Sequence, residues 1–131
     1  MDMEGAAGLD TSLNPLFIYH ACGLRSLGLT WNEKNQFATG ADGNSERGLT
    51  HEGLDLVSAA QDLGIIIDVS HLNDRSLQDL LDKTRKPLLA SHSNLRKWAD
   101  HKRNLSDDFV KAIADTGGSI GLNFCANFLS I

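Results

Sequence analysis

The chain has 131 residues, of which 41% are hydrophobic and 22% charged, and its formal net charge is −5. That length supports one domain with a core of its own, and the acidic balance excludes nucleic acid or an anionic membrane surface as main partner, since both select basic patches. No segment is apolar for long enough to span a bilayer.

Met1-Asp-Met-Glu4 lacks the basic and apolar regions of a signal peptide. Cys22 and Cys125 lie far apart. Free thiols in a cytoplasmic protein are therefore expected.

Residues 3–8 read as the end of a strand turning into a Gly-rich loop. A helix follows over 12–22. Pro15 fits only in a first turn, which starts the helix near Asn14, and Gly23 suits the position after its end. Leu13, Leu16, Phe17 and Tyr19 with His20 form its apolar face. Residues 24–30 read as a strand. Residues 31–48 show only turn signals, and a loop of that length in a compact domain is either functional or disordered. Thr50 can cap the next helix, whose buried face is Leu54, Leu56, Val57, Ala60 and Leu63, and Gly64 ends it.

Two stretches then echo each other: Gly64-Ile-Ile-Ile-Asp-Val-Ser-His71 and Pro87-Leu-Leu-Ala-Ser-His92. Each is a short apolar run ending in Ser-His. Continuous β-branched residues read as a strand buried on both faces, as in a parallel sheet. Between them, 73–83 reads as a helix capped by Asn73 or Asp74, with Leu77, Leu80 and Leu81 as its stripe. The unit is strand, helix, strand. Parallel neighbours lie about 4.8 Å apart, so the two histidines emerge side by side past their strands' carboxyl ends. Two imidazoles placed there could hold one metal ion. Residues 93–104 are polar and basic. Ser106 starts a helix running to 116 that buries Phe109, Val110, Ile113 and Ala114. Gly117-Gly118 stops it, and 119–124 is a further strand.

This order predicts an α/β fold with a parallel sheet, a single domain over 1–131. A (β/α)8 barrel needs roughly 250 residues, so the chain amounts to about half of one. Four positions fall at strand ends on the rim where parallel α/β folds bind ligands: Glu4, Trp31, His71 and His92. Two histidines with a glutamate, completed by water, are a familiar zinc set. On pattern alone, metal binding and a hydrogen-bonded structural pair stand as equal alternatives. Glu4 by itself reads as a solvated carboxylate, and Trp31 as packing or a pocket wall. Arg103 reads as a surface charge, or as a fork gripping a substrate carboxylate. His20, His51 and His101 lie off the rim and receive no role. Cys125 reads as a buried thiol.

Several stretches, in order, resemble the middle of the membrane dipeptidase (renal dipeptidase) family, the M19-type zinc dipeptidases. They are Met3-Glu-Gly5 with Leu9-Asp-Thr-Ser-Leu13, Gly23-Leu-Arg-Ser-Leu-Gly-Leu-Thr-Trp-Asn32, the two Ser-His strands, and Arg103-Asn-Leu-Ser-Asp107. The resemblance covers nearly the whole chain. It implies a partial TIM-type (β/α)8 barrel, roughly strands 3 to 7, and hydrolysis of a dipeptide by a metal-activated water. It makes Glu4 the carboxylate that bridges two zinc ions, His71 and His92 the histidines of one zinc site, and Arg103 the ligand of the substrate's terminal carboxylate. The family's other zinc takes a His-x-Asp pair absent here, so one Zn2+ site at most is expected. The family's late catalytic aspartate is not found here either. Trp31 stands where the renal enzymes carry a histidine, as in some microbial relatives.

Two other readings stay open: a non-catalytic zinc-binding remnant, and another metal-dependent amidohydrolase or lactonase on the same barrel. A half barrel leaves two sheet edges open and its inner face uncovered. Exposed apolar surface there, with instability, self-association or a homodimer, is therefore expected.

Overall fold

The computed structural model describes residues 1–129. Five parallel strands lie side by side in sequence order: β1 (Asp2–Glu4), β2 (Ser26–Gly28), β3 (Ile66–Asp68), β4 (Leu88–Ala90) and β5 (Ser119–Ile120). A helix occupies each connection: α1 (Asn14–Ala21), α2 (His51–Asp62), α3 (Asp74–Lys83) and α4 (Asp107–Asp115). The α/β alternation read from the sequence is present. A sequential parallel array of this kind is the arrangement of one part of a (β/α)8 barrel.

Local chemistry explains where three helices begin. The side chains of Thr50, Asn73 and Ser106 accept the backbone N–H of Gly53, Ser76 and Phe109 at 3.0, 2.8 and 3.2 Å. Each such cap is worth about 1 kcal/mol. α1 starts at Asn14 with Pro15 in its first turn, as expected, but it buries only Leu16. Phe17, Ile18 and Tyr19 face outward, which corrects the apolar face expected for it. In α4, Ile113 is buried while Ala114 is exposed.

Side-chain alternation divides the sheet. Leu27, Ile67, Leu88 and Ala90 pack into one core with Leu56, Ala60, Leu77, Leu80 and Ile113 from the helices. The opposite face carries Asp2, Glu4, Ser26, Gly28, Asp68 and Ser119, with Ile66 and Leu89 as its apolar members. Ile66 is 46% exposed, so β3 is not buried on both faces. The uncovered face is polar, contrary to the apolar surface expected of a half barrel.

β5 is two residues long rather than the run 119–124. At Gly121 the chain passes so close to β4 that an added Cβ would meet the Ser91 carbonyl oxygen at 2.2 Å. Beyond it Leu122, Phe124 and Cys125 are exposed, which overturns the buried thiol expected at 125. A single 3-10 turn follows at Ala126–Phe128. Cys22 is also a free, exposed thiol.

The long segment 31–48 is packed against the core. Asn35 accepts the N–H groups of Phe37 and Ala38 and donates to the Leu29 carbonyl. Phe37 and Ala38 are buried as a result.

Candidate metal centre

The rim at the strands' carboxyl ends brings together residues from four segments. Glu4 ends β1. His71 follows β3 with φ of 76°, a region that L-residues seldom occupy and that persists only where the surroundings enforce it. Its carbonyl accepts the Ala41 N–H at 2.9 Å and the Thr30 hydroxyl at 3.4 Å. His92 follows β4, and its backbone N–H donates to Ser70 Oγ at 3.1 Å. The two histidine loops are therefore stitched to each other.

Glu4 Oε1 lies 2.8 Å from His71 Nε2 and 3.2 Å from His92 Nε2. The two Nε2 atoms are 2.9 Å apart. On the far side of each ring, His71 Nδ1 is 2.7 Å from Asn32 Oδ1, and His92 Nδ1 is 2.7 Å from Ser91 Oγ. Rings that donate from Nδ1 to these oxygens turn Nε2 lone pairs toward each other and toward a carboxylate. In that tautomer the set offers only lone pairs at its centre, and the Nη2 N–H of Arg103 is the donor that faces it, 3.2 Å from His92 Nε2. Such a set is satisfied by a cation, and two imidazoles with a carboxylate suit a divalent metal. Glu4, His71 and His92 are thus a group that could hold a metal ion. Burial, and then the charge of Arg103, lowers the pKa of His71 to about 4, which keeps the ring neutral as a ligand must be.

Arg103 is 5% exposed, which overturns its reading as a surface charge. Its Nη2 is 3.2 Å from His92 Nε2, and its Nε–H points at His71 Nδ1 at 3.1 Å, competing with Asn32 Oδ1 for that nitrogen: a ring that accepts from Arg103 cannot also donate to Asn32. The guanidinium lies over the Phe128 ring at 5.7 Å. Burial lowers its pKa, opposed by the charges of Glu4, Asp68 and Asp42. Among the described residues it forms no ion pair within 4 Å. Its segment is tied down by Asn94 and Asn104, whose amides donate to the carbonyls of Asn123 and Phe128. Trp31 stacks on His71.

The sequence profile of the membrane dipeptidase family, peptidase family M19, matches residues 1–131. The chain belongs to this family. It is 38% identical over 133 residues to an uncharacterized protein in the pqqA 5′ region of Klebsiella pneumoniae, covering 97% of this chain and 49% of that protein. It is 35% identical to an uncharacterized dipeptidase of Schizosaccharomyces pombe, covering 98% of this chain and 32% of that one. Among solved structures it matches a metallo peptidase from Rhodobacter sphaeroides, liganded with a phosphinate mimic of the dipeptide L-Ala-D-Ala. That match has a TM-score of 0.93 and 36% identity over 99% of this chain and 39% of the other. The M19 chain therefore spans about half or less of the length of these relatives. The family is one of metallodipeptidases, hydrolases that use a metal.

All the rim residues singled out in the sequence of this M19 chain meet in space, Arg103 included. His51 pairs with Asp55 on α2 instead. His101 does have a part at the rim: its Nδ1 accepts the Arg103 backbone N–H at 3.1 Å, and its ring packs on Phe128. Sequence reasoning also passed over Asn32, Asp68 and Ser91. The only available signal was the repeated Ser-His pair, which marks Ser91 without saying what it bonds.

Proposed function

We propose that this chain carries one zinc site and the carboxylate grip of a zinc-dependent dipeptidase. Glu4, His71 and His92 are the zinc ligands, Glu4 is also a catalytic carboxylate, Arg103 binds the substrate's C-terminal carboxylate, and Trp31 walls the pocket. The observation that carries this reading is the convergence of three donor atoms within 3.2 Å of one another beside a buried guanidinium. Nitrogen and oxygen donors of this kind favour Zn2+. When bound, zinc supplies a water of lowered pKa and polarises a carbonyl.

The chain's own groups do the positioning. Asn32 and Ser91 orient the two imidazoles. Arg103 presents a planar fork that matches a carboxylate. Trp31 covers His71 on its solvent side. A dipeptide substrate is further supported by the dipeptide mimic held in the Rhodobacter relative. Self-association through the open sheet edges belongs to the same reading. No described helix is long and apolar enough to cross a membrane.

The test is zinc stoichiometry on the chain, with His71→Ala and His92→Ala alongside. One zinc per chain, lost in both variants, is expected. No zinc in the unmodified chain would overturn the site. Zinc without hydrolysis of L-Ala-D-Ala would leave a metal-binding role and remove the catalytic one.

A further inference from the structure

Asp68 donates nothing to the ligand cluster, yet it is a buried carboxylate at the end of β3, between the two histidine loops. Its Oδ1 accepts the backbone N–H of Ser70 at 2.9 Å and of Ser91 at 3.0 Å. Its Oδ2 accepts the Ser91 hydroxyl. Ser91 Oγ in turn lies 2.7 Å from His92 Nδ1. A serine hydroxyl has one hydrogen. Once that hydrogen goes to the carboxylate, the oxygen offers His92 only lone pairs, and the ring must be the donor. The other nearby hydroxyl, Ser70 Oγ, is 3.4 Å away and already accepts the His92 backbone N–H.

We propose that Asp68 and Ser91 are positioning residues that hold His92 in its Nδ1–H tautomer, so that its Nε2 lone pair faces Glu4 and His71. A free neutral imidazole can carry its proton on either nitrogen. With the proton on Nε2, the ring would donate to Glu4 at 3.2 Å and cease to be a metal donor. The consequence for metal rests on the function proposed above; the tautomer is a property of the metal-free chain.

The direction of the hydroxyl makes the two residues unequal. Ser91→Ala removes the acceptor that fixes Nδ1–H and leaves the ring between two opposed neighbours of Nε2, the Arg103 Nη2 N–H, which favours a lone pair there, and the Glu4 carboxylate, which favours a proton. Asp68→Asn keeps the shape and an acceptor for the two backbone N–H groups, but points an amide N–H at Ser91. The hydroxyl then accepts from the amide and donates to His92 Nδ1, which inverts the tautomer. Ser91→Thr retains the relay.

The experiment reads the His92 ring nitrogens by 15N NMR at pH 8 in the metal-free chain, and Zn2+ affinity by competition with a chromophoric chelator. Nδ1–H is expected in the unmodified chain and in Ser91→Thr, a mixture in Ser91→Ala, and Nε2–H in Asp68→Asn. Zinc affinity should fall by about 10- to 100-fold in Asp68→Asn, the usual range for an outer partner of a ligating histidine. If Asp68→Asn does not fold, the Ser91→Ala and Ser91→Thr pair decides. Nδ1–H retained in Ser91→Ala and Asp68→Asn alike, or Nε2–H in the unmodified chain, would overturn the relay. The expected tautomers in a chain that binds no zinc would support the relay and sink the metal reading.

Discussion

The indole of Trp31 lies against the imidazole of His71, with ring centroids 5.6 Å apart and planes 27° from parallel. Trp31 is 57% exposed, so it covers one side of the donor cluster without being anchored in the core. Trp31→Ala should change folding stability by no more than about 0.5 kcal/mol, as at other surface sites. As a pocket wall Trp31 would cover about one methyl or methylene of a dipeptide, worth about 0.8 kcal/mol, so KM for a dipeptide should rise about fourfold, with zinc affinity unchanged. Steady-state kinetics and a zinc titration check this. Lost zinc would mean that the indole supports His71 rather than the substrate.

Arg103 is held on three sides by Phe128, by His101, and by His71 with His92. Arg103→Lys should therefore be a poor substitute, since an ammonium cannot reproduce the fork. Removing one partner of a buried charged pair costs about 2–5 kcal/mol. Arg103→Ala should thus lower kcat/KM for a dipeptide by at least about 30-fold, with zinc content retained. A cyclic amide or lactone cleaved equally well by the variant would favour a different amidohydrolase.

Asn73 is a cap with a second task. Its Oδ1 caps α3, while its amide donates to the carbonyls of Asn44 and Arg47 at 3.0 and 2.8 Å. Among the described residues the Ser106 side chain makes only the cap on α4. With about 1 kcal/mol for a cap and about 1 for each further bond, Asn73→Ala should cost about 3 kcal/mol and Ser106→Ala about 1. Asn73→Asp should fall between them. Urea unfolding measures all three, and equal losses would show that the 44–47 turn does not depend on Asn73.

The ends of the sheet are β1 and β5. Open strand edges pair with other chains, and Phe17, Ile18 and Tyr19 add apolar surface on α1. Sedimentation velocity should therefore show concentration-dependent association. Ile18→Lys should weaken that association without abolishing it. A monomer that unfolds in one cooperative step would count against this expectation.

The sequence made the caps legible because Thr50, Asn73 and Ser106 act on residues three positions away. His71 and His92 were legible because each follows a β-branched or apolar run by a fixed offset. The burial of Arg103 was not, since nothing local reveals that Phe128 packs on it or that Asn94 and Asn104 tie its segment to 123–128. Ile66 was misread for a related reason. Its neighbours in sequence are buried by helices, but its own side chain points to the sheet's other face, where no layer lies over it. Cys125 likewise follows an expected strand that ends early, where Gly121 crosses close to Ser91. Each miss depends on a partner far along the chain.

Each strand pairs with the next strand in the sequence. A growing chain can therefore add one strand–helix unit at a time onto an existing edge, with no long loop closed before its contacts form. During synthesis, Glu4, Asn32 and His71 can come together before His92 has been made, and Asp68 is in place before Ser91 arrives to use it. Arg103 is the last of these rim residues to be translated. Until it arrives, Glu4, His71 and His92 can meet without the guanidinium that lies against both rings in the finished fold.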